Sequence, residues 1–179
     1  MHILLGLAGL IGVALMWYWR AKQAREAAGD IAEAANDVRL AARRFAYRRR
    51  TDVHPADCVE DPRLAAAGIA AAIASMDAPL SQVEIDALQT EARAIFKVDA
   101  AEAVDIAAFG RWISGQCKAP NEAVRRLAKV VDQRAGAEAG PDLLTMVERV
   151  ACADGAVLGS DEQASIATIR RTLGLPEAR

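Results

Sequence analysis

The sequence predicts an all-α protein: one amino-terminal transmembrane helix, a basic juxtamembrane helix, and a compact bundle of about six further helices. Three observations predict it. Residues 3–19 carry no charged side chain and run straight into Arg20. The chain is rich in alanine, only 4% of it is aromatic, and no run alternates β-branched with polar residues, so strands are not expected. From Leu64 onward, apolar residues return every three or four positions between recognisable helix caps. The expected organisation is an anchor at 1–19, a basic helix at 20–50, a linker at 51–62 and a helical domain at 63–179.

The anchor rests on length and flanks. Seventeen residues of helix, at about 1.5 Å each, reach about 26 Å, close to the hydrocarbon thickness of a bilayer. Trp17, Tyr18 and Trp19 fall where amphipathic rings favour the lipid–water boundary. A cleaved signal peptide would want a basic start and a small-x-small cleavage site. Here the start carries only the terminal amine and His2, and Trp17-Tyr18-Trp19-Arg20 stands where cleavage would occur. A retained anchor is therefore expected, in preference to a signal peptide or a buried core helix. Arg20, Lys22 and Arg25 follow the span and nothing comparable precedes it. The positive-inside rule then sets the amino terminus outside and the rest in the cytoplasm, as a single-pass protein of the bacterial inner membrane.

The net charge of −2 hides an asymmetry. Residues 20–50 carry nine Lys and Arg against four acids, and residues 51–179 carry 13 against 20. A basic collar beside a membrane attracts anionic lipid, at about 1 kcal/mol per residue near the surface. Arg39, Arg43, Arg44, Arg48, Arg49 and Arg50 are the expected lipid contacts. RNA is the competing polyanion, but membrane contact is the better reading beside an anchor, so no nucleic-acid partner is expected. Cys58, Cys117 and Cys152 are widely spaced and odd in number, which fits free thiols rather than a zinc site or disulfide framework. His2 and His54 are the only histidines, leaving a histidine triad hardly available.

The elements follow in order. Residues 20–50 read as helix, with Gly29 a weak point and Asp30 with Glu33 resembling a capping box that restarts it. Ala21, Ala24, Ala28, Ile31, Ala35, Val38, Ala42 and Phe45 form a stripe stepping by three and four. Packing on the domain, a homo-oligomer through residues 21–45, and lying on the membrane are all open. Pro55 and Pro62 mark the linker.

The first domain helix, about 63–76, sets Ala65, Ile69, Ala72, Ile73 and Met76 on one face. The second opens with Ser81 and Glu84 as a capping box and turns Ile85, Leu88, Ala92, Ile95 and Phe96 inward. The third follows Asp99, with Glu102 at the capping-box position, and buries Val104, Ala108, Trp112 and Ile113. The fourth follows Pro120 and buries Val124, Leu127, Ala128 and Val131. The fifth starts at Pro141, which suits a first helical position, and carries Leu143, Leu144, Val147, Val150 and Ala151. The last is capped by Ser160 with Gln163, buries Ile166, Ile169 and Leu173, and stops at Gly174 before Pro176.

Two junctions share a pattern. Met76-Asp77-Ala78-Pro79-Leu80-Ser81-Gln82-Val83-Glu84 joins the first two helices, and Ala153-Asp154-Gly155 through Ser160-Asp161-Glu162 joins the last two. Turn and capping chemistry accounts for Asp, Gly, Ser and Glu at such positions. The sharper reading makes Asp77, Glu84, Asp154 and Glu162 candidate ligands for a divalent cation, since hard cations take several oxygens. Neither turn is a twelve-residue EF-hand loop.

These paired turns and the closing Leu173-Gly174-Leu175 resemble the TerB-like tellurite-resistance family over roughly 64–175. Asp77-Ala78 departs from the usual Asp-Gly. The resemblance implies a compact all-α domain, acidic turns proposed as a metal site, and a stress-associated scaffolding role without catalysis. An anchor ahead of such a domain also resembles the membrane-bound DnaJ-like co-chaperones. Those carry a J-domain with His-Pro-Asp; the only similar stretch here, His54-Pro55-Ala56-Asp57, interrupts that tripeptide, so J-domain function is not expected. The expected function is a membrane-tethered interaction module for unidentified protein partners. The alternative is a divalent-cation sensor or buffer, the only cofactor in view. No nucleophile motif, phosphate-binding glycine loop or cofactor fingerprint points to an enzyme.

Overall fold

The computed structural model describes residues 38–176. The expected anchor at 3–19, its positive flank and the stripe from Ala21 to Ala35 lie outside the described residues. The order is α1 (residues 38–44), a 3-10 turn Pro55–Cys58, then α2 (Pro62–Ala74), α3 (Gln82–Phe96), α4 (Ala100–Ser114), α5 (Pro120–Ala135), α6 (Gly140–Ala151) and α7 (Ser160–Thr172), with a second 3-10 turn Ala137–Ala139 before α6. Among the described residues there is no strand, and no helix is long and apolar enough to cross a membrane.

The bundle is built around α2. Leu64 through Ala74 are buried without a break, and α2 touches α3, α4, α5, α6 and α7. A helix apolar on all sides has to be surrounded, and its alanines let the neighbours come close. The nearest approach is to α4. A Cβ on Gly110 would stand 2.7 Å from the Ala67 carbonyl carbon and 2.9 Å from the Gly68 nitrogen. A Cβ on Gly68 would stand 2.6 Å from Leu127 Cδ1 and 2.9 Å from Ile113 Cγ2. Backbone therefore lies on backbone at this crossing, and only glycine leaves the room.

The expected single face of α2 is thus corrected: Ala65, Ile69, Ala72 and Ile73 are buried, but so are the residues between them. The face of α4 is also turned from expectation. Ala103, Ile106, Ala107, Phe109, Gly110 and Ile113 are buried, whereas Val104 is 40% exposed and Ala108 and Trp112 are half-buried. Gly110 sets this register, because the seam must pass through the residue without a side chain. In α3, Leu88 and Ala92 are buried, while Ile85, Ile95 and Phe96 are half-buried. The apolar faces expected for α5, α6 and α7 are all buried.

Local chemistry ends each element. Ser81 and Glu84 form the full capping box of α3. Asp99 Oδ1 accepts the Glu102 N–H at 2.8 Å, but the Glu102 carboxylate pairs with Arg63 at 2.9 Å instead of reaching back. The α7 cap lies one residue before the expected Ser160: the Gly159 N–H donates to Glu162 at 2.6 Å, and Ser160 is the first helical residue. Gly174, at φ +65°, closes α7 with the Leu175 N–H donating to Arg170 O and the Gly174 N–H to Arg171 O, a Schellman motif. Leu175 then lies against bare Gly140.

Residues 51–62, expected as a linker, are packed. Ala56 is fully buried, Val59 is 3% exposed, and Arg126 pairs with Asp57 at 2.7 Å. Of the three options for the stripe, its described end takes the domain: Ala41 is fully buried, and Ala42 and Phe45 pack against the core. Ala46, at φ +53°, closes α1 with a second Schellman turn, the Tyr47 N–H donating to Ala42 O at 2.9 Å. A left-handed alanine costs about 1–2 kcal/mol, which the packing around it offsets.

Gly110→Ala tests the crossing. Overpacking costs about 1–3 kcal/mol and outweighs the gain of about 1 kcal/mol from better helix propensity. Denaturant unfolding is expected to show net destabilisation. Gly115→Ala, whose Cβ would meet nothing closer than 3.5 Å, should stay near neutral.

Candidate functional site at the facing acidic turns

The first turn leaves α2 at Ser75, whose hydroxyl donates to Ala72 O at 3.0 Å, and runs through exposed Asp77, Ala78 and Pro79 to the α3 cap. The second leaves α6 at Cys152 and runs through exposed Asp154 to Val157 before the α7 cap. Asp154 Oδ1 accepts the Ala156 N–H at 2.9 Å, and Gly155 takes φ +88° between them. That left-handed residue explains Asp-Gly in the second turn. The first turn has no positive φ and so accepts Ala78.

The turns meet across α7. The Ser165 hydroxyl lies 2.7 Å from Asn121 Oδ1 and 3.8 Å from Met76 Sδ, tying α7 to α5 and to the end of the first turn. One residue on, Asp77 Oδ2 and Glu162 Oε2 lie 3.7 and 3.8 Å from where a Gly159 Cβ would stand. Two carboxylates therefore lie beside a bare Cα where the turns meet.

The four expected ligands divide into two pairs. Asp77 and Glu162 both lie beside Gly159, where Glu162 also accepts the Gly159 N–H of its own cap at 2.6 Å. Glu84 is spent within its own cap, accepting from the Ser81 N–H at 2.7 Å and the Ser81 hydroxyl at 2.8 Å. Asp154 is held by its own turn. Among the described residues no group of three or more His, Cys, Asp or Glu side chains is placed to hold a metal ion. Gly159 was not singled out from the sequence. Its signal is the Glu at the third helical position, a better cap partner than Gln163 one residue later.

Other reactive groups have structural partners. His54 Nδ1 accepts the Ala56 N–H at 3.2 Å and caps the 3-10 turn. The three cysteines are free and half-buried, and burial pushes the Cys117 thiol above its usual range. Buried Glu91 pairs with Arg149 at 3.2 Å across α3 and α6. An apolar cavity of about 190 Å³ lies between α2, α3, α5 and α6, lined in part by Ala66, Phe96, Val131 and Met146.

Residues 63–179 match the family model described as tellurite resistance protein TerB. No curated protein and no solved structure matches the chain. The matched span takes in α2 through α7 and both acidic turns, and begins one residue after Pro62 opens α2. Over this all-helical bundle with its paired acidic turns, the chain belongs to the TerB tellurite-resistance family.

Proposed function

We propose that this chain is a membrane-tethered TerB module that faces the cytoplasm, gathers protein partners at the inner face of a bacterial membrane, and serves in a stress response. The observation that carries the reading is the order of parts. An uncharged apolar segment at 3–19 is followed at once by Arg20, Lys22 and Arg25, and then by a TerB domain. A domain held in the membrane plane meets partners at raised effective concentration, which suits a scaffold. Nucleophile–base geometry is not part of the reading, and we assign the protein no catalysis.

A second reading is favoured by Asp77 and Glu162 at Gly159. Two carboxylates so placed repel unless solvated, protonated or bridged by a cation. On this reading a divalent ion enters between the turns and stiffens the α2–α3 hairpin against α7.

Topology tests the first reading. A reporter active only in the periplasm, fused after Arg179, should stay silent, while a cytoplasmic reporter at the same place should work. A strong periplasmic signal contradicts it.

Thermal unfolding with calcium or magnesium tests the second. Ion at about 100 times its dissociation constant adds about 2.7 kcal/mol to a native state that alone binds it, so Tm should rise by several degrees. Asp77→Asn should abolish that rise and leave the ion-free Tm nearly unchanged. Equal shifts in parent and variant remove Asp77 from any cation site.

A further inference from the structure

The segment ahead of the family match is docked on the domain through contacts of several kinds. Tyr47 is central. Its ring meets Phe109 edge-on at 5.1 Å and Trp112 at 5.5 Å, and its hydroxyl donates to Pro55 O at 3.0 Å. Burial pushes the phenol up to about 12. Arg44 pairs with Asp105 on α4 at 2.6 Å. The Phe45 ring lies under the Arg63 guanidinium at 5.3 Å, and Arg63 is itself held by Asp61 and Glu102. Ala41, Ala56 and Val59 are buried beneath these contacts.

Docking one side of α1 defines the other. Ala41, Ala42 and Phe45 point inward, and Arg39, Leu40 and Arg43 lie on the opposite, solvent-facing side. Leu40 is 49% exposed, one of few large apolar side chains left in water. Among the described residues no acid pairs with Arg39 or Arg43, nor with exposed Arg48 and Arg49 after the turn. An apolar side chain between two free arginines is the composition that enters an anionic lipid headgroup layer.

We propose that residues 38–60 form a clasp that presents Arg39, Leu40 and Arg43 as an anionic-lipid contact face, with Arg44, half exposed but tied to Asp105, and Tyr47 as positioning residues. This rests on the membrane reading above and divides the arginine collar into two roles. Arg44 holds the clasp to α4, and its neighbours meet lipid. Ala46 turns the chain back onto the domain so that Tyr47 reaches its aromatic partners, and the face is thereby fixed on the bundle.

Arginine modification by phenylglyoxal on the full chain in lipid nanodiscs, mapped by mass spectrometry, tests this, because the small reagent reads each guanidinium separately in the folded protein. In phosphatidylcholine, Arg39 and Arg43 should react readily and Arg44, held by Asp105, slowly. Adding phosphatidylserine should slow reaction at Arg39 and Arg43 by about fivefold for each arginine engaged, and high salt should reverse it. Reaction at Arg44 should not respond to lipid. Tyr47→Ala should speed reaction at Arg44 and make it respond to phosphatidylserine like its neighbours, since the freed arginine can then reach lipid. Leu40→Ala should weaken the lipid effect and leave Arg44 slow. Parent protein in which Arg44 is as lipid-sensitive as Arg43 overturns the clasp. Chain retained in the nanodisc without any phosphatidylserine effect overturns the lipid face alone. Chain that leaves the nanodisc, and gains no protection from added phosphatidylserine vesicles, overturns the face and the anchor together. Equal protection by a single-stranded oligouridylate contradicts the lipid assignment.

Discussion

The contact between α2 and α4 sets the limits for the rest of the bundle. At Gly68 and Gly110 two helix backbones meet with no side chain between them, and Leu127 and Ile113 close over the crossing. Helices so near leave α2 no solvent-facing side, so α3, α5, α6 and α7 must complete its shell. Alanine supplies most of the surface of α2 itself, which gives little transfer energy per residue but allows close packing over the whole helix. The larger buried side chains are Leu64, Ile69 and Ile73 in α2, Phe109 and Ile113 in α4, Leu127 in α5 and Met146 in α6, each fully or almost fully buried.

This arrangement gives the two ends of α2 separate tasks. The amino-terminal end carries Arg63, which joins Asp61, Glu102 and the Phe45 ring. The carboxy-terminal end delivers Met76 and Asp77 to α7 and Gly159. Thirteen residues of helix separate the ends by about 20 Å. The proposed lipid clasp and the acidic turns therefore share one buried helix without sharing residues. Helix α5 also joins the two regions, since it carries Arg126, paired with Asp57 of the clasp, and Asn121, bonded to Ser165 beside the acidic turns.

Legibility from the sequence followed how sharply polar residues mark a surface. In α5, Arg125, Arg126, Lys129 and Asp132 occupy the exposed side, so Val124, Leu127, Ala128 and Val131 could be assigned inward without ambiguity. The α6 and α7 faces were readable for the same reason. Helix α2 gave no such contrast, because a helix apolar all round has no preferred face to detect. Helix α4 was turned because Gly110 does not register as apolar, although its missing side chain decides the seam. The docking of α1 depends on Tyr47 meeting Phe109 and Trp112 more than sixty residues away, and no local pattern encodes such a partner. At the acidic turns, local chemistry could be read where it stayed local, as in the Ser81–Glu84 box. That Asp77 reaches the Gly159–Glu162 cap is a product of tertiary packing through Met76, Ser165 and Asn121.

Amide hydrogen exchange on the full chain, resolved along α2, tests the central role of this helix most directly. If α2 is the element around which all others pack, amides from Ile69 to Ile73 exchange only through global unfolding, and their opening free energy equals that from denaturant unfolding. Those of α7, which packs mainly on α5, then open at lower free energy. Exchange of the α2 amides through a partial opening, while α7 or α3 remains protected, would contradict the account.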